Sequence, residues 1–596
     1  MFQSFKVTAR PEQGPPRLAA LREVLAAEGL DGFLVPRADA HQGEYVSAHD
    51  ERLAWLTGFT GSAGFCAVLT GSAGVFIDGR YRTQVKSQVA AEFTPVPWPE
   101  VTLGTWLAEQ LPDGGTVGFD PWLHTPGQIE TLERALKGSG IDTRACENMV
   151  DRVWDDQPAP PRAPVRVHPM EFAGESHADK RARLADDLRD AGHRSAVITL
   201  PDSLCWLLNI RGSDIPRNPI AQGFAVLHDN GHVALFMAAE KLDGLMEHFG
   251  PEVSVQDPDD FESFVAGLDG LVRLDKSTVP VAVSELLGDR VVWGDEPCAL
   301  PKARKNEAEI AGAAAAHLRD GAAVVELLAW LDAQPAGSLS ETQVVSRLEA
   351  LRRNDNALQD ISFETIAGTG PHGAIMHYRV TEETDATLED GHLLVLDSGG
   401  QYLDGTTDIT RTIAIGEVPE EAREAFTRVL QGMIAMSRLR WPQGLAGRDI
   451  EAIGRMPLWL AGQDFDHGLG HGVGAYLSVH EGPQRLSRIN HVPIEAGMIL
   501  SNEPGYYREG AFGIRIENLI VARDAPDLPG GDDHRNMLDW RTLTWVPVDR
   551  RLVVREMLST EERDWLNTYH AAVAEKIGPR VSPDAKTWLD AATAPL

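Results

Sequence analysis

The sequence predicts a multidomain α/β (α+β) chain: two related N-terminal α/β domains, then a larger C-terminal domain that carries the chemistry. Three observations support this. At 596 residues the chain exceeds what one hydrophobic core organises and should split into domains. A helix–strand–tryptophan pattern occurs twice in the first half. In the second half, Asp397, Asp408, His471, Glu503 and Glu517 lie in short segments that otherwise read as buried strands and tight turns.

The first copy of the pattern is the amphipathic segment Arg17–Gly29, the strand-like Phe33-Leu-Val, and then Trp55-Leu-Thr-Gly. The second is Arg181–Gly192, Ala196-Val-Ile-Thr-Leu, and Trp206-Leu-Leu-Asn. The tryptophan comes later in the first copy, which calls for a longer loop there. Each copy predicts a sheet covered by helices, with domains spanning 1–157 and 165–300. The Pro-rich stretch Gln157-Pro-Ala-Pro-Pro-Arg-Ala-Pro164 between them reads as a stiff spacer. A second boundary falls near Leu300-Pro301. Beyond it, Glu307–Asp332 is Ala-rich with helical apolar spacing and should open a third domain, 301–596.

In that domain an apolar run, 393–396, ends in Asp397, and a Gly-rich turn leads to Asp408 and a Thr/Ile-rich run. This predicts two strands whose facing ends carry the two acids. His467-Gly-Leu-Gly-His471-Gly-Val-Gly alternates glycines, which lets its backbone pass close to another group. Glu503 follows the apolar run 498–500 and precedes Pro504-Gly505. Glu517 sits in the alternating segment 513–521, read as one strand.

Composition narrows the function. Hydrophobic residues make up 43% of the chain, enough for ordinary cores. No apolar run approaches the roughly 18–20 residues of a transmembrane helix, and the N-terminal segment lacks the apolar core of a signal peptide. The four cysteines (Cys66, Cys146, Cys205, Cys298) are far apart and define no disulfide framework, which points to the cytoplasm. A net charge of −33 argues against nucleic acid and anionic membrane as partners. No serine-nucleophile elbow is present, and no cysteine neighbours the histidines.

Four buried carboxylates would repel one another unless cations cancel them. With one imidazole and no thiolate, the set suits two hard or borderline divalent ions more than structural zinc. A water held between two such cations loses a proton near neutral pH and becomes a nucleophile.

The segments Gly368-Thr-Gly-Pro-His-Gly-Ala-Ile-Met-His377-Tyr, Asp397-Ser-Gly, Asp404-Gly-Thr-Thr-Asp408-Ile-Thr-Arg-Thr, His467-Gly-Leu-Gly-His471-Gly-Val-Gly, Val479-His480-Glu-Gly-Pro, Glu503-Pro-Gly-Tyr-Tyr and Phe512-Gly-Ile-Arg-Ile-Glu517-Asn carry a family resemblance. So do Asp39-Ala-His-Gln-Gly-Glu-Tyr and Asp564-Trp-Leu-Asn-Thr-Tyr-His nearer the ends. Together they resemble the creatinase/aminopeptidase "pita-bread" metallohydrolases, most closely the three-domain cytosolic aminopeptidases P. The resemblance implies two creatinase-like domains, a pita-bread catalytic domain, a homodimer, and two metal ions per chain, namely Mn²⁺. It assigns Asp397, Asp408 and Glu517 to one ion and Asp408, His471, Glu503 and Glu517 to the other. It also makes His377 and His480 donors to the substrate carbonyl or oxyanion, and it places His467 and Tyr506 about a proline pocket.

Glu503 is the candidate proton shuttle; the alternative is a ligand role alone. Each of the three other histidines has the alternative of a structural core residue. Arg515 either fixes the carboxylates and borders the substrate or forms an ordinary ion pair. His372 and His392 match no role. The implied activity is removal of the first residue from Xaa-Pro peptides. A prolidase cutting only Xaa-Pro dipeptides is the first rival. A non-catalytic peptide- or histone-binding pita-bread protein is the second, and it conflicts with the complete ligand set.

Overall fold

The six-stranded sheets of the N-terminal half follow from the two repeated patterns. In the computed structural model, which describes residues 1–596 except Asn356 and Asp533, the first sheet runs in the order Thr94–Pro97, Ala73–Ile77, Phe65–Leu69, Gly32–Pro36, Gly115–Phe119, Ile141–Ala145. The second runs Val253–Gln256, Val233–Phe236, Phe224–His228, Ser195–Ile198, Val272–Leu274, Val291–Trp293. Strand order and parallel or antiparallel sense agree position by position. Each leading helix, Gly14–Glu28 or His177–Asp190, is followed by a left-handed glycine, Gly29 (φ 65°) or Gly192 (φ 73°). The chain then reverses into its central strand. The longer loop expected in the first copy is residues 37–51, against 199–200 in the second.

The Pro-rich linker does not hold these domains apart, contrary to a spacer role. Residues 8–170 and 175–300 form one compact unit. Val281 of the second domain enters the core of the first, with its N–H donating to His124 O (2.9 Å). The linker is pinned along its length: Gln157 Nε2 donates to His49 O, Ala163 N to Asp214 Oδ1 and Val165 N to Lys241 O.

The other unit comprises residues 1–7, 171–174 and 301–596. Its two short N-terminal pieces therefore depart from the division read in the sequence. Backbone polar groups explain it: Phe2 N donates to buried Glu349, Gln3 exchanges two hydrogen bonds with Thr365, and Asn306 Nδ2 donates to Ala173 O. Glu307–Asp332 is helical as expected, opened by a capping box between Asn306 and Glu309.

Three larger sheets and a two-stranded hairpin, Gly505–Arg508 with Phe512–Arg515, frame this unit. One is Ile366–Thr369, Leu393–Ser398, Ile409–Ala414; a second is Leu358–Ile361, Gly400–Tyr402, Gly405–Thr406. The third has six antiparallel strands in the order Arg440–Pro442, Met537–Thr542, Asn518–Asp524, Ile499–Asn502, Gly470–Gly472, Glu481–Leu486. Helices Glu420–Ser437 and Gly447–Trp459 pack closely because a Cβ on Gly432 would lie 2.1 Å from Gly454 O. Among the described residues no helix is long and apolar enough to cross a membrane.

Candidate active site

Strand ends deliver the acids. Asp397 pairs in register with Thr410, and Asp408 immediately precedes that partner strand. The link between them is a small hairpin, Gly400–Tyr402 with Gly405–Thr406, where the sequence suggested only a turn. His471 is central in Gly470–Gly472, and the flanking glycines serve strand packing: a Cβ on Gly470 would sit 1.9 Å from Ser501 O. Glu503 follows Ile499–Asn502.

Glu517 does not lie within one continuous strand. The chain breaks at Ile516–Glu517, between Phe512–Arg515 and Asn518–Asp524, as it leaves a hairpin for the large sheet. Backbone bonds fix the break: Ile516 N donates to Pro504 O and Glu517 N to Thr410 O.

All five side chains converge. Ligand atoms of Asp397, Asp408 and Glu517 lie within 4.8 Å of one another, as do those of His471, Glu503 and Glu517. A third such group joins Asp408 and His471 to His480, whose ring stands edge-on to His471 at 4.3 Å. His471 Nδ1–H donates to Gly472 O (2.9 Å), which leaves Nε2 with a bare lone pair. That lone pair faces Asp408 Oδ2 and Glu503 Oε1, each at 3.4 Å. Asp397 Oδ1 and Glu517 Oε1 are buried and take no hydrogen bond from any described residue.

Burial, reinforced by Asp397 and Glu503, holds the Asp408 carboxyl well above its usual range; burial with Asp408, Glu503 and Asp397 does the same to Glu517. Burial also raises Glu503 and lowers His471 to about 4. A bare imidazole nitrogen and orphaned carboxylate oxygens pointing at one another repel. The donors are oxygens plus one neutral nitrogen, and cations between them would turn that repulsion into attraction. The residues therefore fit two divalent cations.

Around this core, Arg515 is buried and donates from Nε (3.2 Å) and Nη2 (2.5 Å) to Asp397 Oδ2. Its Nη1 donates to Tyr507 Oη (2.6 Å). His467 Nδ1–H donates to Gly468 O (2.8 Å), so the Tyr507 phenol, raised to about 12 by burial, donates to His467 Nε2 (2.9 Å). Tyr506, expected beside the proline pocket, is not the tyrosine brought here. It pairs with Ile514 in the Gly505–Arg508/Phe512–Arg515 hairpin, and its ring lies 6.3 Å from Phe512. Tyr507 pairs with Gly513 and shares a face with Arg515. The two-residue pleat decides between neighbours, and the parity of Arg515 was the signal in the sequence.

His377 is half-buried in the turn after Gly370–Ala374, outside the three clustered groups. Its loop packs against the same hairpin, where a Cβ on Gly513 would lie 1.7 Å from Gly373 O. Glu481, next to His480, points instead to two buried ammonium groups, Lys302 (3.0 Å) and Lys305. His372, which matched no role, donates from Nδ1 to Glu341 Oε1 (2.9 Å).

Comparison with known proteins agrees with this geometry. Residues 311–524 match the model of metallopeptidase family M24, and 536–596 match the C-terminal region of that family. Residues 17–153 and 156–309 each match a creatinase/prolidase N-terminal domain. A probable Xaa-Pro aminopeptidase P of Neosartorya fischeri is 37% identical, covering 97% of this chain and 92% of its own. Aminopeptidase P2 of Arabidopsis thaliana is 35% identical over 97% and 88%. The crystal structure of X-prolyl aminopeptidase from Caenorhabditis elegans, described as a cytosolic enzyme with a di-nuclear active site, superposes with a TM-score of 0.93 at 33% identity, covering 98% of this chain and all of that one. With two N-terminal domains of one topology, a convergent acid–histidine cluster and relatives aligned nearly end to end, the chain belongs to the three-domain aminopeptidase P family of the creatinase/M24 metallopeptidases.

Proposed function

We propose that the chain is a dinuclear metal-dependent aminopeptidase that releases the N-terminal residue from peptides with proline in second position. The observation that carries this reading is the bare His471 Nε2 facing Asp408 and Glu503 at 3.4 Å, beside the partnerless oxygens of Asp397 and Glu517. Asp397, Asp408 and Glu517 would hold one cation and Asp408, His471, Glu503 and Glu517 the other, so that Asp408 and Glu517 would serve both. The oxygen-rich donors favour Mn²⁺. When bound, the cations polarise the scissile carbonyl and acidify a water.

The chain's own residues do the rest. Ser501 Oγ donates to Glu503 Oε1 (3.0 Å) and fixes that carboxylate, leaving Oε2 to take a proton and deliver it to the leaving proline nitrogen. His377 and His480 donate to the developing oxyanion. His467, held by Tyr507, lines the proline pocket, and Arg515 keeps Asp397 aimed through paired hydrogen bonds. The three-domain division near residues 157–165 and 300–301, a cytosolic location and a homodimer belong to the same reading. Exposed Leu460 and Ile489, with Met456 and Trp459 nearby, support a second copy; light scattering giving the mass of one chain would rule it out.

The test is mass spectrometry of three peptides with Mn²⁺ present. Arg-Pro-Pro should lose arginine, Arg-Ala-Pro should do so poorly, and N-acetyl-Arg-Pro-Pro not at all. Cleavage of the acetylated peptide rejects an aminopeptidase. Cleavage of Arg-Pro alone, with the tripeptide untouched, makes the protein a prolidase.

A further inference from the structure

One buried carboxylate that takes no part in the metal cluster organises the loop bearing His377. Glu341 opens the helix Glu341–Arg352 and is fully buried. Its Oε1 accepts Thr369 N–H (2.8 Å) and His372 Nδ1–H (2.9 Å). Its Oε2 accepts the Tyr378 hydroxyl (2.9 Å) and Ala386 N–H (3.2 Å). Two of these donors precede His377 and two follow it. The His372 ring stacks on Tyr378 at 4.4 Å, which closes the loop over the carboxylate. Between Ala374 and Leu393 the chain forms no strand or helix, so hydrogen bonds of this kind must set its path.

A buried carboxylate is expensive and persists only when its acceptors are filled. Here His372 and Tyr378 supply the side-chain donors, and both flank His377 in sequence. We propose that Glu341 is a positioning residue for the reaction: it fixes His377 at the distance from which its ring stabilises the oxyanion. The inference rests on the role given to His377 above.

Steady-state kinetics on Arg-Pro-Pro with the Mn²⁺-loaded enzyme test it. Loss of an oxyanion donor costs about 10²–10³ in rate, and a misplacement of about 1 Å can cost about 10². Glu341→Gln should therefore lower kcat by about 10², with KM and metal content unchanged. Tyr378→Phe removes one donor without stranding a charge and should give a smaller loss of the same kind. In a His377→Ala background, Glu341→Gln should cost almost nothing more, because both act through one ring. Full multiplication of the two losses overturns the proposal, as does wild-type kcat in both Glu341→Gln and Tyr378→Phe. Wild-type turnover in His377→Ala alone would remove the role of His377 and this inference with it. A loss confined to KM or to bound metal would mark Glu341 as structural only.

Discussion

At the residue scale the carboxylates differ in what they share. Asp408 and Glu517 each fall in two of the clustered groups, whereas Asp397 falls in one. With two cations bound as proposed, neutralising a shared carboxylate would remove charge opposite both at once. Asp408→Asn and Glu517→Gln should each lower kcat/KM further than His377→Ala, whose loss should be about 10²–10³. Equal losses in the three variants would argue against shared ligation. Arg515 works on the same scale: its fork reaches Asp397 and Tyr507 together, a geometry lysine could not reproduce.

At the scale of elements, the helix Thr560–Ile577 braces the strands behind the site. Tyr569 Oη on it accepts from Arg411 Nη2 (3.0 Å), and Arg411 Nη1 donates to the backbone carbonyl of Glu517 (2.6 Å). The next residue, His570, is buried, and its Nε2 accepts Val548 N–H (3.1 Å). The folded protein therefore holds a neutral ring. Burial, aided by Arg411 and Arg550, lowers its pKa from 6.5 to about 3. The unfolded chain takes up a proton near the ordinary value and the folded one does not. This contribution is therefore complete above about pH 6.5 and is lost as pH falls toward the folded value, by about 2 kcal/mol at about pH 5. Denaturation at pH 7 and pH 5 should show a smaller pH-dependent drop in His570→Gln, which retains an acceptor but does not titrate in this range. Equal drops would show that His570 does not carry it.

At the scale of the whole molecule, the metal cluster and the duplicated domains belong to separate compact units. Residues 8–170 and 175–300 have hydrophobic cores of their own, and none of the five convergent side chains lies in them. Elemental analysis of Mn-reconstituted protein should approach two equivalents per chain. Chelation should abolish turnover and lower the melting transition of the C-terminal unit, since cations bind only its folded form. The N-terminal transition should stay in place. Retained peptidase activity with no metal would sink the mechanism.

The sequence by itself determined the repeated domains, the catalytic unit and the identity of the clustered residues. Those signals are local. Gly29 and Gly192 mark helix ends, apolar runs mark buried strands, and acids at strand ends stand out because burial makes them costly. The tertiary structure decided what depends on pairing across the chain. It chose Tyr507 over Tyr506 through the register of a hairpin, and it broke the chain at Glu517, whose N–H bonds to Thr410 O between that hairpin and the large sheet. It packed the duplicated domains together despite their Pro-rich linker. It also brought Glu341 to a loop some thirty residues on, through four hydrogen bonds that leave no periodic trace in sequence. A local pattern fixes which face or turn a residue occupies; which distant donor meets it is set only when the strands and helices close on one another.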